Sequence, residues 1–207
     1  METSILTADK DPMGTAIADY FNHHKADRLR VFSSQFDEDE IPVGQLFRNI
    51  KTMPMLERTA LQLATGKILD VGAGSGCHAL ALQEMDKEVC AIDISPLSVE
   101  GIIGRLENMP AFFKKMKQLL RPGGCILMDS SDLRYLFEDG DGSFEIDLAG
   151  DYYGEIDFQM QYKEIKGTPF DWLYVDFQTL SLYAAECGFN AEIIKKGKHY
   201  DYLAKLF

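Results

Sequence analysis

The nine residues Ile68-Leu69-Asp70-Val71-Gly72-Ala73-Gly74-Ser75-Gly76 constrain this chain more than any others. The apolar run Lys67 to Val71 predicts a short buried strand. Three alternate glycines follow, and Cys77 to about Met85 predicts a helix. Glycine takes positive φ and lets a ligand approach the backbone closely. A helix start offers unpaired N–H groups and the positive end of the helix dipole. A second apolar run, Val89-Cys90-Ala91-Ile92, ends at Asp93, and an acid at a second strand end can accept both hydroxyls of a ribose. Together these features predict a nucleoside-containing cofactor held across two neighbouring strand ends.

Around this turn the rest of the chain divides by pattern. Before Gly66 the apolar spacing predicts three helices, from Pro12 to His24, from Pro42 with Val43, Leu46, Phe47 and Ile50 on one side, and from Pro54 with Leu56, Ala60, Leu61 and Leu63. The acidic stretch Ser33 to Glu40 reads as a loop. Residues 1–65 are therefore expected to form a helical preface, and 66–207 an α/β domain. Within the latter, Ser95-Pro96 starts a helix, and so does Met109-Pro110, with Phe112, Phe113, Met116, Leu119 and Leu120 at core spacing. Arg121-Pro122-Gly123-Gly124 is a turn before the strand Cys125 to Asp129. Phe144 to Leu148, Ile156 to Tyr162 and Trp172 to Val175 alternate apolar and polar residues, which predicts an antiparallel β-insertion at about 144–175. A helix from Phe177 to Cys187, stopped by Gly188, and strands Ala191 to Lys195 and Tyr202 to Phe207 close the chain.

Composition excludes several classes. Lys+Arg is 21 against 33 for Asp+Glu, a formal charge of −12, which repels a nucleic-acid backbone or an anionic membrane. The apolar stretches fall short of the roughly 20 residues of a membrane span, and Met1 to Lys10 lacks the pattern of a secretion signal. Four scattered cysteines, Cys77, Cys90, Cys125 and Cys187, read as buried free thiols in a cytoplasmic protein.

The segment Ile68 to Gly76 resembles the first motif of class I S-adenosylmethionine-dependent methyltransferases. Ala91-Ile92-Asp93-Ile94-Ser95 resembles their acidic second motif, and Leu119-Leu120-Arg121-Pro122-Gly123-Gly124 the turn before their fifth strand. The terminal helix, Gly188-Phe189 and the last two strands are similar to the reversed hairpin that ends their sheet. The resemblance runs from about Leu56 to Phe207 and implies a Rossmann-like sheet with that hairpin. It implies S-adenosylmethionine as cofactor, with S-adenosylhomocysteine as product. Asp70 and the backbone of Gly72, Ala73, Gly74, Ser75 and Gly76 would face the methionine end. Asp93 would take the ribose, and Ile94 would pack on the adenine. Asp93 also fits a helix cap, Asp70 a buried acid tied to backbone N–H groups, and His78 a packing or capping role. A dinucleotide fingerprint would be GxGxxG; here the spacing is GxGxG, with Cys77 at the expected third position, which disfavours NAD.

One stretch departs from the family. A helix, a strand, a helix and a further strand are expected between the acidic motif and the helix at Pro110, yet only Leu97 to Met109 separate Pro96 from Pro110. The join falls near Glu100–Gly101, where either a central segment is missing or a short connection makes a reduced sheet. The latter would suit a non-catalytic cofactor-binding or interaction protein. Methyl transfer needs the acceptor aligned and water excluded, and a base only if the acceptor must lose a proton. Asp129, Ser130, Ser131 and Asp132 are expected at a strand end where an acceptor is met. Asp129 and Asp132 are the candidate catalytic acids, with turn and cap roles as the alternative, and no metal site is expected. Tyr152, Tyr153, Trp172 and Tyr174 are candidates for an acceptor pocket or for packing, and Tyr20, Phe21, Phe47 and Met53 for a cover over the cofactor or for core. The acceptor is expected to be a small molecule, less so a protein, and the β-insertion is a candidate homodimer surface.

Overall fold

A computed structural model describes residues 8–93, 103–141, 143 and 150–207. In chain order the elements are α1 (Pro12–His23), β1 (Leu29–Phe32), β2 (Asp39–Ile41), α2 (Met55–Leu63), β3 (Lys67–Val71), α3 (Cys77–Glu84) and β4 (Glu88–Ile92). They continue as α4 (Met109–Leu119), β5 (Ile126–Ser131), β6 (Glu155–Tyr162), β7 (Ile165–Lys166), β8 (Phe170–Leu173), α5 (Phe177–Glu186), β9 (Ala191–Lys196) and β10 (Asp201–Leu206). The chain divides into two compact units that interleave in sequence. The first comprises Met1–Pro54, Leu61–Gly101 and Asp157–Phe170, the second Met55–Ala60, Ile102–Ile156 and Asp171–Phe207. This division does not follow the boundary expected at residue 65.

In the first unit α1 starts at Pro12, with the Asp11 carboxylate accepting from Gly14 N–H at 2.8 Å. The stretch expected to be a helical preface also contains β1 and β2, and the segment from Val43 to Phe47 is a 3-10 turn. β1 pairs antiparallel with both β2 and β6, giving the order β2-β1-β6-β7. The expected β-insertion is therefore not self-contained, because its long strand pairs with the N-terminal region. Tyr162 explains that pairing. It is fully buried with Ala16, Leu29 and Val43, and its hydroxyl donates to Asp19 at 2.8 Å while accepting from Asp27 N–H at 3.1 Å. A buried phenol needs such partners.

A second core of the same unit holds Met53, Leu61, Ala81 and Leu82, with Ile68 and Val89 packed against it. β3 and β4 are parallel, in the register Leu69↔Cys90 and Val71↔Ile92. Alternation puts Ile68 and Val89 on the covered side. The other face carries Leu69, Val71, Cys90 and Ile92, all exposed. None of the four cysteines is fully buried, contrary to expectation, and none is in a disulfide.

The core of the second unit gathers Met109, Phe113, Val175, Leu180, Ala184, Phe189, Tyr202, Ala204 and Leu206. α4 and α5 supply apolar faces, and β10 lies between β5 and β9, antiparallel to both. Leu119, expected in the core, is 53% exposed at the end of α4. Gly188, at φ 79, stops α5 as expected, and Lys117 Nζ donates to the carbonyls of Cys187 and Gly188 at 3.0 and 2.8 Å. Arg105 is held by Asp171, Glu155 and Asp151 at 2.8, 3.2 and 3.3 Å.

The expected join at Glu100–Gly101, the helix at Ser95-Pro96, Ile94 and the strand Phe144 to Leu148 all lie outside the described residues. Among the described residues, parallel pairing is confined to β3 and β4, and β5, β10 and β9 form a separate sheet. The architecture is α/β.

Candidate functional site

The turn after β3 is built by backbone geometry. Gly72, Gly74 and Gly76 adopt φ of 77°, 56° and 81°, where a side chain is strained. A Cβ at any of the three would find nothing within 4 Å, so the space before the turn is open. Gly72 and Ala73 N–H donate to the Ile92 carbonyl at 2.9 and 3.3 Å, tying the turn to the end of β4. The Asp93 carboxylate accepts from Gly74 N–H, and Ser75 Oγ donates to the Leu46 carbonyl. Thus Asp93 and the glycine turn, predicted as partners, are brought together within one unit.

Asp70 lies below this turn on β3. Ala79 N–H holds one side of its carboxyl, whereas Oδ2 is buried and has no hydrogen-bond partner among the described residues. Burial is the main cause that raises its pKa; His78 and the Ala79 N–H oppose the rise, and Asp93 adds to it. A buried acceptor without a donor, beneath an open glycine cradle, fits an ammonium-bearing ligand. Exposed Asp93 at the neighbouring strand end fits a diol. His78 is half-buried inside α3.

The candidate acids at the end of β5 belong to the second unit. Asp129 is exposed. Asp132 is engaged on both oxygens: it accepts from Arg134 N–H at 3.0 Å, from the Arg134 guanidinium at 2.6 and 2.8 Å, and from Tyr153 Oη at 3.0 Å. Its own N–H donates to the Tyr200 carbonyl at 3.1 Å. Asp132 therefore ties together the turn Leu133–Phe137, the final hairpin and Tyr153.

Tyr153 also approaches Asp176 at 3.2 Å, and Tyr152 Oη donates to Asp176 at 2.7 Å. Burial pushes the Tyr152 phenol up to about 12, and burial with the neighbouring Tyr152 hydroxyl pushes Tyr153 higher still. Neither phenol ionises near neutral pH. Asp176 is the sequence reading's main omission. It is 6% exposed and caps α5 through Gln178 and Thr179 N–H at 2.9 and 3.1 Å. Asp176-Phe177-Gln178-Thr179 carries a helix-cap signal that could have found it. Ser130 also has a fixed partner, accepting from Val175 N–H at 2.9 Å.

Among the other aromatic candidates, Tyr20 stacks on Phe47 at 4.9 Å and Met53 is 3% exposed, so these are core, while Phe21 is 71% exposed. Trp172 is 41% exposed beside Tyr174, at 6.4 Å between ring centroids. No group of three or more metal-ligating side chains occurs among the described residues. Among them, no helix is long and apolar enough to cross a membrane.

No family model matches the chain, and no curated protein matches it. Solved structures do. A methyltransferase from Bacteroides fragilis, crystallised with S-adenosyl-L-homocysteine, is 68% identical; the match covers 99% of this chain and 97% of that one, with a TM-score of 0.89. The CcbJ methyltransferase from Streptomyces caelestis is 13% identical over 77% of this chain and 98% of that one, at a TM-score of 0.53. A Pyrococcus horikoshii OT3 protein is 17% identical over 73% of this chain and 87% of that one, at a TM-score of 0.50. The two distant matches speak for the fold, which is Rossmann-like. The first, at its identity and coverage, speaks for more: this chain belongs to the S-adenosylmethionine-dependent methyltransferases.

Proposed function

We propose that the chain transfers the methyl group of S-adenosylmethionine to a small-molecule acceptor and releases S-adenosylhomocysteine. The observation that carries this reading is the 68% identity, over 99% of the chain, to a methyltransferase crystallised with that product. The glycine cradle supports it. Gly72, Ala73, Gly74, Ser75 and Gly76 admit the cofactor, the unpartnered Asp70 oxygen takes its ammonium group, and Asp93 takes its ribose. When bound, the sulfonium supplies a methyl group already activated for in-line displacement. The chain's own work is to align the acceptor and exclude water. Asp132 has both oxygens engaged and acts as a positioning residue; Asp129 is the other candidate acid. The net charge of −12 supports a small acceptor over a nucleic acid, and four cysteines outside any disulfide support a cytoplasmic setting.

Calorimetry on the full chain tests the reading. S-adenosylmethionine and S-adenosylhomocysteine should both bind, and Asp93→Ala should weaken both by about tenfold or more, equivalent to about 1.4 kcal/mol. Absence of binding by either, or binding of NADH in their place, overturns it.

A further inference from the structure

Within the first unit the glycine turn is fastened on two sides. On one, Gly72 and Ala73 N–H donate to the Ile92 carbonyl, and the Asp93 carboxylate takes Gly74 N–H. On the other, Ser75 Oγ donates to the carbonyl of Leu46, 29 residues earlier in the chain. Gly76 N–H closes on the Ala73 carbonyl at 2.8 Å. Among the described residues, Ser75 N–H is therefore the amide between Gly72 and Gly76 that no protein group takes. One residue keeps its amide for a ligand while its hydroxyl holds the N-terminal chain.

The segment that Ser75 holds is built into both cores of this unit. Leu46 lies in the 3-10 turn Val43–Phe47. Val43 is buried with Ala16, Leu29 and Tyr162, and Leu46 and Phe47 pack against the same cluster. Phe47 stacks on Tyr20 of α1 at 4.9 Å, and a Cβ added to Gly44 would stand 3.0 Å from the Tyr20 hydroxyl, so α1 sits directly on this turn. Further on, Thr52 and Met53 N–H donate to the Asn49 carbonyl at 3.0 and 3.1 Å, and Met53 is buried with Ala81 and Leu82 of α3. Apolar packing is non-directional: it holds the segment down without fixing its register. A hydrogen bond is directional, and the bond from Ser75 to Leu46 supplies that register at the cofactor cradle.

We propose that Ser75 is a positioning residue that couples the cofactor to the N-terminal layer: its hydroxyl sets the Val43–Phe47 turn on the cradle, so that ligand binding at the glycine turn and the packing of α1 strengthen each other. The proposal rests on the methyl-transfer reading, and its test separates the two. Coupling is reciprocal, so damage to the Tyr20–Phe47 stack should weaken the ligand, and should do so through Ser75. Binding of S-adenosylhomocysteine is measured by calorimetry on the full chain and on a double-mutant cycle. Phe47→Leu, which keeps an apolar side chain and removes the stack, should weaken binding about fivefold in the parent and less than about twofold in a Ser75→Ala background. In a Ser75→Thr background, which keeps a hydroxyl, the loss should return to about fivefold. No loss on Phe47→Leu in the parent, or equal losses in the parent and the Ser75→Ala background, overturns the proposal alone. Hydrogen exchange on the parent chain needs no variant to fold. With S-adenosylhomocysteine well above its Kd, amides of α1 should slow by about fivefold or more, together with those of the glycine turn. Slowing confined to the glycine turn also overturns the proposal alone. Failure of S-adenosylhomocysteine to bind the parent overturns the methyl-transfer reading and the proposal with it.

Discussion

Asp70, which the proposed function assigns to the cofactor's ammonium group, shows how a single carboxyl can be poor for folding. Its Oδ2 is buried without a partner among the described residues, and burial raises its pKa. The folded chain therefore holds a proton at pH values where the unfolded chain has released it. The group's favourable contribution is complete below the unfolded value of about 3.9 and is lost as pH rises through the higher folded value. Asp70→Asn should accordingly stabilise the cofactor-free chain at neutral pH by about 1 kcal/mol, the lower range for an unsatisfied polar group. At pH 3 the same variant should gain nothing, and urea unfolding at the two pH values checks the sign. The glycine turn and the acids Asp70 and Asp93 stand out as candidates because their spacing is local: strand, turn and helix follow one another within a few residues. Asp132 was legible as an acid at a strand end with a turn or cap role as the alternative, and its bond from Arg134 N–H is such a cap. Its bond from Tyr153, distant in sequence, has no local signal.

Among the elements, α5 depends most on one residue. Asp176 caps its first turn and also accepts hydroxyl hydrogen bonds from Thr179 and Tyr152 at 2.6 and 2.7 Å. Burial alone would raise its pKa, but the bonds from Thr179, Tyr152 and Tyr153 together hold it below the usual carboxylate range. Its stabilisation is therefore present above the unfolded value of about 3.9 and disappears as pH falls through the lower folded value. Asp176→Ala should cost about 2–4 kcal/mol at neutral pH, from the lost cap and the stranded hydroxyls together. That deficit should narrow in acid, which chemical unfolding at pH 7 and pH 3 would register. Most helices and the two parallel strands could be read from periodicity, glycine and proline. β1 and β2 could not: Asp39-Glu40-Ile41 is short and acidic, and its strand character comes from β1, which is in turn aligned by distant β6.

For the molecule as a whole, charge is the term that sequence fixes without any fold. A net −12 repels itself in any compact state. Raising NaCl from 0.01 M to 1 M shortens the screening length from about 30 Å to about 3 Å, so the melting temperature should rise along that series. A fall would mean that the ion pairs around Arg105 and those of the first unit outweigh the self-repulsion. The two compact units each have their own core, and their boundaries escaped the sequence reading because β6 alternates as a free-standing insertion would. Only pairing with β1 and the buried Tyr162 reveal that the N-terminal region is its partner.

The uncovered side of β4 has a practical consequence. Of the four thiols, Cys90 alone is exposed, and it stands across from Leu69 and two residues before Ile92, whose carbonyl holds the glycine turn. It is a ready-made attachment point for a fluorophore, on the strand that anchors the cradle and on the face away from Ile68 and Val89. A dye placed there would report on the strand that anchors the glycine turn, with no engineered cysteine.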